Sequence, residues 1–306
     1  MRNLLIYQYI SEVARSGSVR KAAEKLAITP SSLNRRIQSF EYEIGAAIFE
    51  RNARGVRLNP AGELAVHTLR KHLADMEELK TRIEDLKGAR RGNVSITASQ
   101  ALLPHFLPKQ ILRYQKKFPG VDFNVEVADP SDSEQALMNY EADLAILFSA
   151  LPTESFETIA QLEQSVFAIM APGHPLSKRK QLRLSHCVEF PLALHDSSYS
   201  VGRLLETHVQ RSRLPLRPAM KSNSFILLQN YILNSEAIGF EIQIGLSDSD
   251  DQGLVKRPIA INNAAKTSVQ LIQLRGRTLP VAAAKFAEQI SVVFDQMDED
   301  KASLAT

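Results

Sequence analysis

The chain has one cysteine, Cys187, in 306 residues. A lone thiol cannot form an internal disulfide, which suits a reducing cytosol, and it is more often a core or surface residue than a redox sensor. No apolar run approaches the roughly 20 residues that a membrane span requires, so no membrane partner is expected. Met1-Arg2-Asn3-Leu4 leads straight into an amphipathic helix, with no signal-peptide cleavage pattern. Catalytic signatures are missing as well: there is no G-x-S-x-G elbow, no P-loop, no G-x-G-x-x-G and no H-E-x-x-H. The seven histidines are scattered. His67 and His72 fall too far round their helix to share a face well, and no carboxylate or cysteine pattern completes a metal site. His195-Asp196 stands beside Ser197-Ser198-Tyr199-Ser200, but triad members meet in space, not in neighbouring positions. The expectation is a protein that is not an enzyme, with no catalytic residue, metal or cofactor.

Charge is in near balance, with a net of +3, but unevenly placed. Residues 1–93 carry 17 Lys and Arg against 11 Asp and Glu; the remainder carries 20 against 23. A basic end on a slightly acidic body fits a nucleic-acid-binding module joined to a second function.

The basic end is organised around Ser18 to Ile48. Apolar residues fall at Val19, Ala22, Ala23 and Leu26, then at Leu33, Ile37, Phe40 and Ile44. Both sets have the three-and-four spacing of one buried helical face. Thr29-Pro30 is a helix start, a hydroxyl cap followed by a residue that needs no N–H. Two short helices joined by a tight turn make a helix-turn-helix. The second helix has an outer face of Ser31, Ser32, Asn34, Arg35, Arg36, Gln38 and Ser39. Short polar side chains let a helix sit deep in a major groove, where Asn, Gln and Arg can read base edges. The competing reading is an ordinary two-helix corner of an all-α domain. Phe49 to Leu58 then reads as a small hairpin around the turn-rich Asn52 to Gly55, with Arg51, Arg54 and Arg57 placed to grip phosphate.

This region resembles the winged helix of LysR-type transcriptional regulators. Gly17-Ser18, Ala22-Ala23, Leu26, Leu33, Arg35, Ile37, Glu43-Ile44-Gly45, Phe49-Glu50-Arg51 and Pro60-Ala61-Gly62 stand where that family has matching residues. The family commonly has Ser-Gln-Pro-Ala-Leu-Ser-Arg at the recognition-helix start. Here the run is Thr29-Pro30-Ser31-Ser32-Leu33-Asn34-Arg35, with proline one residue early and Asn34 in place of a serine, a departure that bears on base preference. The candidate DNA contacts are Ser18, Arg20, Pro30, Ser31, Ser32, Asn34, Arg35, Arg36, Gln38, Arg51 and Arg54. The resemblance implies double-stranded operator DNA as partner, a bacterial cytoplasmic location, and RNA polymerase as a further candidate partner.

Pro60 to about Gly88 reads as one helix of about 40 Å. Leu69, Leu73, Met76, Leu79, Ile83 and Leu86 form a narrow stripe, suited to a coiled-coil-like seam between two chains. The resemblance also places the homodimer or homotetramer contact here. Gly88 to Gly92 is a hinge. Beyond it, strands at Val94–Thr97, Val121–Val127 and Asp143–Phe148 alternate with helices at Leu102–Phe118 and Ser133–Tyr140, and strand–helix alternation predicts a parallel sheet. A second such unit has strands at Val166–Met170 and Pro191–Leu194, and helices at Val201–Arg213 and Phe225–Asn234. Ser268–Leu274 is a late strand, Ala282–Met297 a closing helix, and the polar tail after it is expected to fray.

The expected fold class is α/β with an N-terminal all-α winged helix-turn-helix. The domains are a DNA-binding domain over 1–59, a linker helix over 60–88, and an effector-binding domain over 93–300. The resemblance implies two α/β lobes like those of periplasmic solute-binding proteins, lobe one 93–162 plus 268–300 and lobe two 163–267. Ligands of open α/β sheets bind beyond the strand C-termini. The candidate cleft residues are Ser99, Gln100, Ser131, Ser198, Ser200 and Asn223. For those at helix starts, Ser99, Gln100, Ser198, Ser200 and Asn223, simple N-capping is the competing role. A small anion or amino-acid-like effector would suit them. Two other functions stay open at this point: an α/β solute-binding or enzymatic protein with a helical appendage, and a nucleoid-type binder with little sequence preference.

Overall fold

The computed structural model describes residues 2–52, 55–86, 91–148, 154–196, 218–246, 253–260 and 267–304. The chain divides into two compact units. One holds Met1–Ala89 with Met138–Glu141 and Thr278–Val281; the other holds Arg90–Leu137, Ala142–Arg277 and Ala282–Thr306.

In the first unit the apolar periodicity becomes helix α1 (Arg2–Ser16), α2 (Val19–Lys25) and α3 (Pro30–Ile44). Gly17 ends α1 in the left-handed region at φ 60°. Its carbonyl accepts the Val56 N–H at 2.9 Å, and a Cβ at the facing Gly55 would lie on that same oxygen. Ser18 caps α2 by accepting from the Lys21 N–H, and Thr29 caps α3 by accepting from the Ser32 N–H at 3.3 Å. Strands β1 (Phe49–Asn52) and β2 (Gly55–Leu58) pair antiparallel. Glu41 ties α3 to this hairpin, its carboxylate accepting from the Ile48 N–H at 2.7 Å and the Phe49 N–H at 3.3 Å. Asn59 donates to the Ala47 carbonyl and accepts from the Gly62 N–H, starting α4 (Pro60–Leu86). Tyr9, Ile10, Val13, Ala22, Ala23, Leu33, Ile37, Ile48, Val66 and Leu69 form one buried cluster. Removal of such side chains from water drives the packing.

The second unit begins with β3 (Arg91–Ala98), α5 (Phe106–Lys117), β4 (Gly120–Val127), α6 (Pro130–Met138) and β5 (Leu144–Phe148). Strand β6 (Phe156–Gln164) runs almost directly into β7 (Val166–Met170). Then follow α7 (Leu184–Cys187), β8 (Leu192–His195), β9 (Pro218–Ser222), α8 (Phe225–Leu233), β10 (Gly239–Ile242), β11 (Val255–Pro258), β12 (Thr267–Leu274) and α9 (Val281–Leu304). One sheet has the order β4-β3-β5-β12-β6, a second β10-β7-β11, and β8 and β9 pair beside the latter. Around α5 and α9, Tyr114, Phe123 and Phe286 pack edge to face with Phe118 tilted against Tyr114, and the Tyr114 hydroxyl donates to the Ala282 carbonyl at 3.0 Å.

Several expectations change. The helix read over Leu102–Phe118 is a 3-10 turn, Gln100–Leu102, followed by α5 from Phe106, because Pro104 interrupts the ladder. The helix read from Ser133 starts at Pro130, where a proline fits the first turn. The sheets are parallel only in part. β3 pairs parallel with β4 and β5, and β8 with β9, whereas β12 runs antiparallel to β5 and β6, and β7 antiparallel to β10 and β11. Strand β6 escaped the sequence reading because Glu157, Gln161 and Glu163 leave no long apolar run. The closing helix runs on through the polar tail to Leu304, since Asp-Glu-Asp-Lys-Ala-Ser-Leu contains no Gly or Pro to stop it. The helix read over Val201–Arg213 lies outside the described residues.

Candidate nucleic-acid interface and effector cleft

α3 buries Leu33 and Ile37 and turns its polar side outward. Ser31, Arg35, Arg36 and Gln38 are exposed; Ser32 and Asn34 are half-buried. Pro30 opens the helix, and the Ser31 hydroxyl lies 3.3 Å from Thr29 Oγ1. The two arginines differ. The Arg36 guanidinium stands over the Tyr9 ring, 5.6 Å from its centroid, so it is drawn back onto its own domain. Arg35 projects from the helix without such a stack. Arg20, on α2, pairs with Glu24 one turn on at 3.4 Å, an exposed contact of little energetic weight. Ser18 serves as the α2 cap. Arg51 lies on β1; its side chain, and Arg54 altogether, fall outside the described residues.

The cleft candidates separate just as clearly. Ser99 follows β3 and precedes the 3-10 turn; it is buried, and its hydroxyl makes no capping bond. Gln100 Oε1 is buried without a hydrogen-bond partner. Ser131 is exposed on the first turn of α6. Asn223 is exposed between β9 and α8, while the neighbouring Ser224 spends its hydroxyl on capping α8, accepting from the Leu227 N–H. Ser198 and Ser200 lie outside the described residues.

Sequence reasoning missed His195 and Glu241. His195 ends β8 and Glu241 lies in β10; their side chains meet at 2.9 Å, Nε2 to Oε1, both more than nine-tenths buried. The Phe225 ring lies 4.1 Å from the imidazole, centroid to centroid. No sequence signal could link two residues 46 positions apart on different strands. His174, in its Gly/Pro turn, is structural: Nδ1 accepts from the Leu176 N–H at 3.1 Å and the ring stacks near Phe190. Burial holds its imidazole below the ordinary histidine range despite nearby Glu236. Cys187 is buried, donates to the Arg183 carbonyl, and has its thiol pushed up to about 12 by desolvation. A thiol held protonated is a poor target for oxidation, which goes through the thiolate. Among the described residues no three His, Cys, Asp or Glu side chains are placed to hold a metal ion, and no helix is long and apolar enough to cross a membrane.

The architecture is a helix-turn-helix with a wing, joined to an α/β unit of two linked sheets. Residues 6–63 match the bacterial regulatory helix-turn-helix proteins of the lysR family, and residues 87–294 match the LysR substrate binding domain. The chain belongs to the LysR family of transcriptional regulators and is a DNA-binding regulator of transcription. A relative described as "Probable RuBisCO transcriptional regulator" of Trichormus variabilis is 26% identical over 251 residues, 78% of this chain and 74% of that one. A solved full-length OxyR variant from Pseudomonas aeruginosa superposes with a TM-score of 0.73 at 18% identity, covering 94% of each chain. Full-length CbnR complexed with its target DNA superposes with a TM-score of 0.61 at 14% identity, covering 94% of this chain and 98% of that one.

Proposed function

We propose that the protein is a homo-oligomeric regulator that reads operator bases with Asn34, Arg35 and Gln38 and answers to a small molecule bound between its two α/β lobes. The observation that carries the reading is the outer face of α3, which offers short polar side chains and one outward arginine where a solvated helix would carry mixed Lys/Glu pairs. Ser31 and Ser32 are short enough to let the helix approach, and Arg20, Arg51 and Arg54 are the phosphate-gripping candidates. Such a regulator works in the bacterial cytoplasm, where its DNA is.

The self-association seam is the far half of α4. Leu69 is buried in the domain core, but Leu79 and Ile83, one turn apart, are 49% and 44% exposed in the single chain. An apolar pair on the surface of a long helix favours a partner helix. For the effector, the support is at Ser99 and Gln100, whose side-chain polar atoms are not consumed by capping.

One experiment tests the assembly and the reading together. Wild type should sediment as an oligomer and bind its own upstream region more tightly than a scrambled duplex across a range of salt concentrations. Leu79→Asp with Ile83→Asp should sediment as a monomer, keep weak salt-sensitive binding to both duplexes, and lose the preference. Equal binding of wild type to both duplexes would make it a nucleoid-type binder instead, and an unchanged assembly of the double variant would move the seam elsewhere.

A further inference from the structure

Several strands of the second unit end close together. β3 ends at Ala98 and leads into the turn Gln100–Leu102. β8 ends at His195, and β10 ends beside it at Ile242, leading into the turn Gln243–Gly245. The two turns touch. A Cβ added at Gly245 would stand 2.9 Å from the Ala101 carbonyl oxygen and 3.5 Å from Glu241 Oε2. Gln164, at the crossing from β6 to β7, accepts from the Ile244 N–H at 3.0 Å. Buried polar atoms normally find partners. Yet five of the eight described buried side-chain atoms without one belong to these segments: Thr97 Oγ1, Gln100 Oε1, Gln164 Nε2, His195 Nδ1 and Glu241 Oε2. A deficit of hydrogen bonds gathered at one strand edge is what a ligand site looks like before its ligand arrives.

We propose that His195 and Glu241 are the specificity end of the effector cleft and seat a hydroxyl or ammonium group of the effector. The proposal rests on the reading that the effector lies between the lobes beside Ser99 and Gln100. Whichever partner holds the proton shared between Nε2 and Oε1, Glu241 Oε2 keeps its lone pairs and calls for a donor. His195 Nδ1 donates or accepts according to its own proton, and a hydroxyl can answer either way. A bare carboxylate brings no proton to Oε2 and adds like charge beside Glu241 in a medium of low dielectric. The effector class that follows is a small hydroxylated or amino acid, oriented with its hydroxyl or ammonium on this pair. The Phe225 ring against the imidazole fixes the angle at which Nδ1 is presented. The pair is closed over in this structure, so binding at it requires the lobes to part slightly. That is how occupancy of the cleft would reach the rest of the domain.

The test uses the full chain and matched probes: glycerate and serine against propionate, and quinate against cyclohexanecarboxylate, read by calorimetry and by the imidazole nitrogen resonances of His195. At least one hydroxylated or amino probe should bind wild type and shift the His195 resonance, and its unsubstituted counterpart should do neither. Glu241→Gln and His195→Gln, near-isosteric, should each weaken that probe by about tenfold or more, the scale of a buried hydrogen bond to a charged group. Ser99→Trp should abolish binding. If the probe binds, Ser99→Trp abolishes it, and the two variants bind it as wild type does with the His195 resonance unmoved, the pair is structural: the proposal falls and the cleft stands. If the probe binds and Ser99→Trp leaves it unchanged, the cleft reading falls first. Binding of the unsubstituted acids alone overturns the ligand class, as does binding of no probe at all. Should the variants fail to fold, the wild-type resonance still decides.

Discussion

The two units keep their polar side chains in opposite places. In the N-terminal unit Ser11 Oγ is the one described buried side-chain atom left without a partner. Glu41, Asn59 and the Ser18 and Thr29 hydroxyls all tie backbone groups together, and the polar groups of α3 stand outside on one helix face. The α/β unit holds the other seven, five of them at strand ends or in the turns that follow. A surface that meets a long polyanion can be made in one stretch of chain and left exposed, because water satisfies it until DNA displaces the water. A site for a small molecule must be concave, and several elements have to be brought together to make it. One unit displays its polar side chains along a single helix face, and the other draws them from several strands and turns.

The hardest blow to the N-terminal unit is a single methyl group. A Cβ at Gly62 would fall on the Ile48 carbonyl oxygen, where α4 crosses the start of β1. Neither is free to yield, because Ile48 N–H is held by Glu41 and Gly62 N–H by Asn59. Overpacking of this kind typically costs about 1–3 kcal/mol, so Gly62→Ala should lower the melting temperature of the N-terminal unit and displace the wing. Operator binding should fall with it. Gly173→Ala is the control: it meets nothing within 4 Å and should leave the melting curve unchanged. If Gly62→Ala melts like wild type, the junction of α3, wing and α4 is looser than its hydrogen bonds imply.

A smaller and more selective effect separates Arg35 from Arg36. Both are exposed and adjacent, and both read as DNA contacts from the sequence, although only Arg35 stands where the family resemblance has a match. Arg36 has a partner in its own domain, the Tyr9 ring, and Arg35 has no such stack. Arg35→Ala should therefore relax base preference by about tenfold or more, since a bidentate contact contributes roughly 1–3 kcal/mol of discrimination. Arg36→Ala should weaken specific and scrambled duplexes alike, or cost mainly stability through the lost cation–π contact, about 0.5–1 kcal/mol at an exposed site. Titration of both variants on both duplexes distinguishes them. Equal loss on both duplexes for Arg35→Ala would make it a phosphate clamp and leave reading to Ser31, Ser32, Asn34 and DNA shape.

That contrast also marks how far the sequence could be read. The helix-turn-helix, the linker helix and the alternation of strands and helices were legible because each is written in local periodicity. The place of Ser99 and Gln100 was legible because they directly follow a strand; their part in a cleft is a proposal. The side chain of Arg36 was not, because its direction depends on Tyr9 in another helix. His195 and Glu241 were not, because their meeting is a product of β8 lying beside β10, a bridge between Leu192 and Ile238 that no local pattern announces. Strand β6 was missed for a related reason: its paired, alternating face is only half apolar, and its partner β12 comes far later in the chain.

The smallest effect bears on the turn that makes the recognition helix possible. Ala27 lies between α2 and α3 with φ at 53°, in the left-handed region. A residue with a Cβ pays roughly 1–2 kcal/mol to stay there, and glycine almost nothing. Glycine also loses more freedom on folding, a penalty of about 0.5–1 kcal/mol. The two terms oppose, and the strain is the larger. Ala27→Gly should therefore stabilise the N-terminal unit by about 0.5 kcal/mol, a rise of about two to four degrees in its melting temperature. Affinity for operator should not change, because Ala27 is exposed on the turn and the α3 face is untouched. A fall in melting temperature would mean that the Ala27 methyl group contributes to packing that its exposure does not suggest. A change in base preference without a change in stability would mean that the turn sets the angle at which α3 enters the groove, and that this angle is strained into place by Ala27.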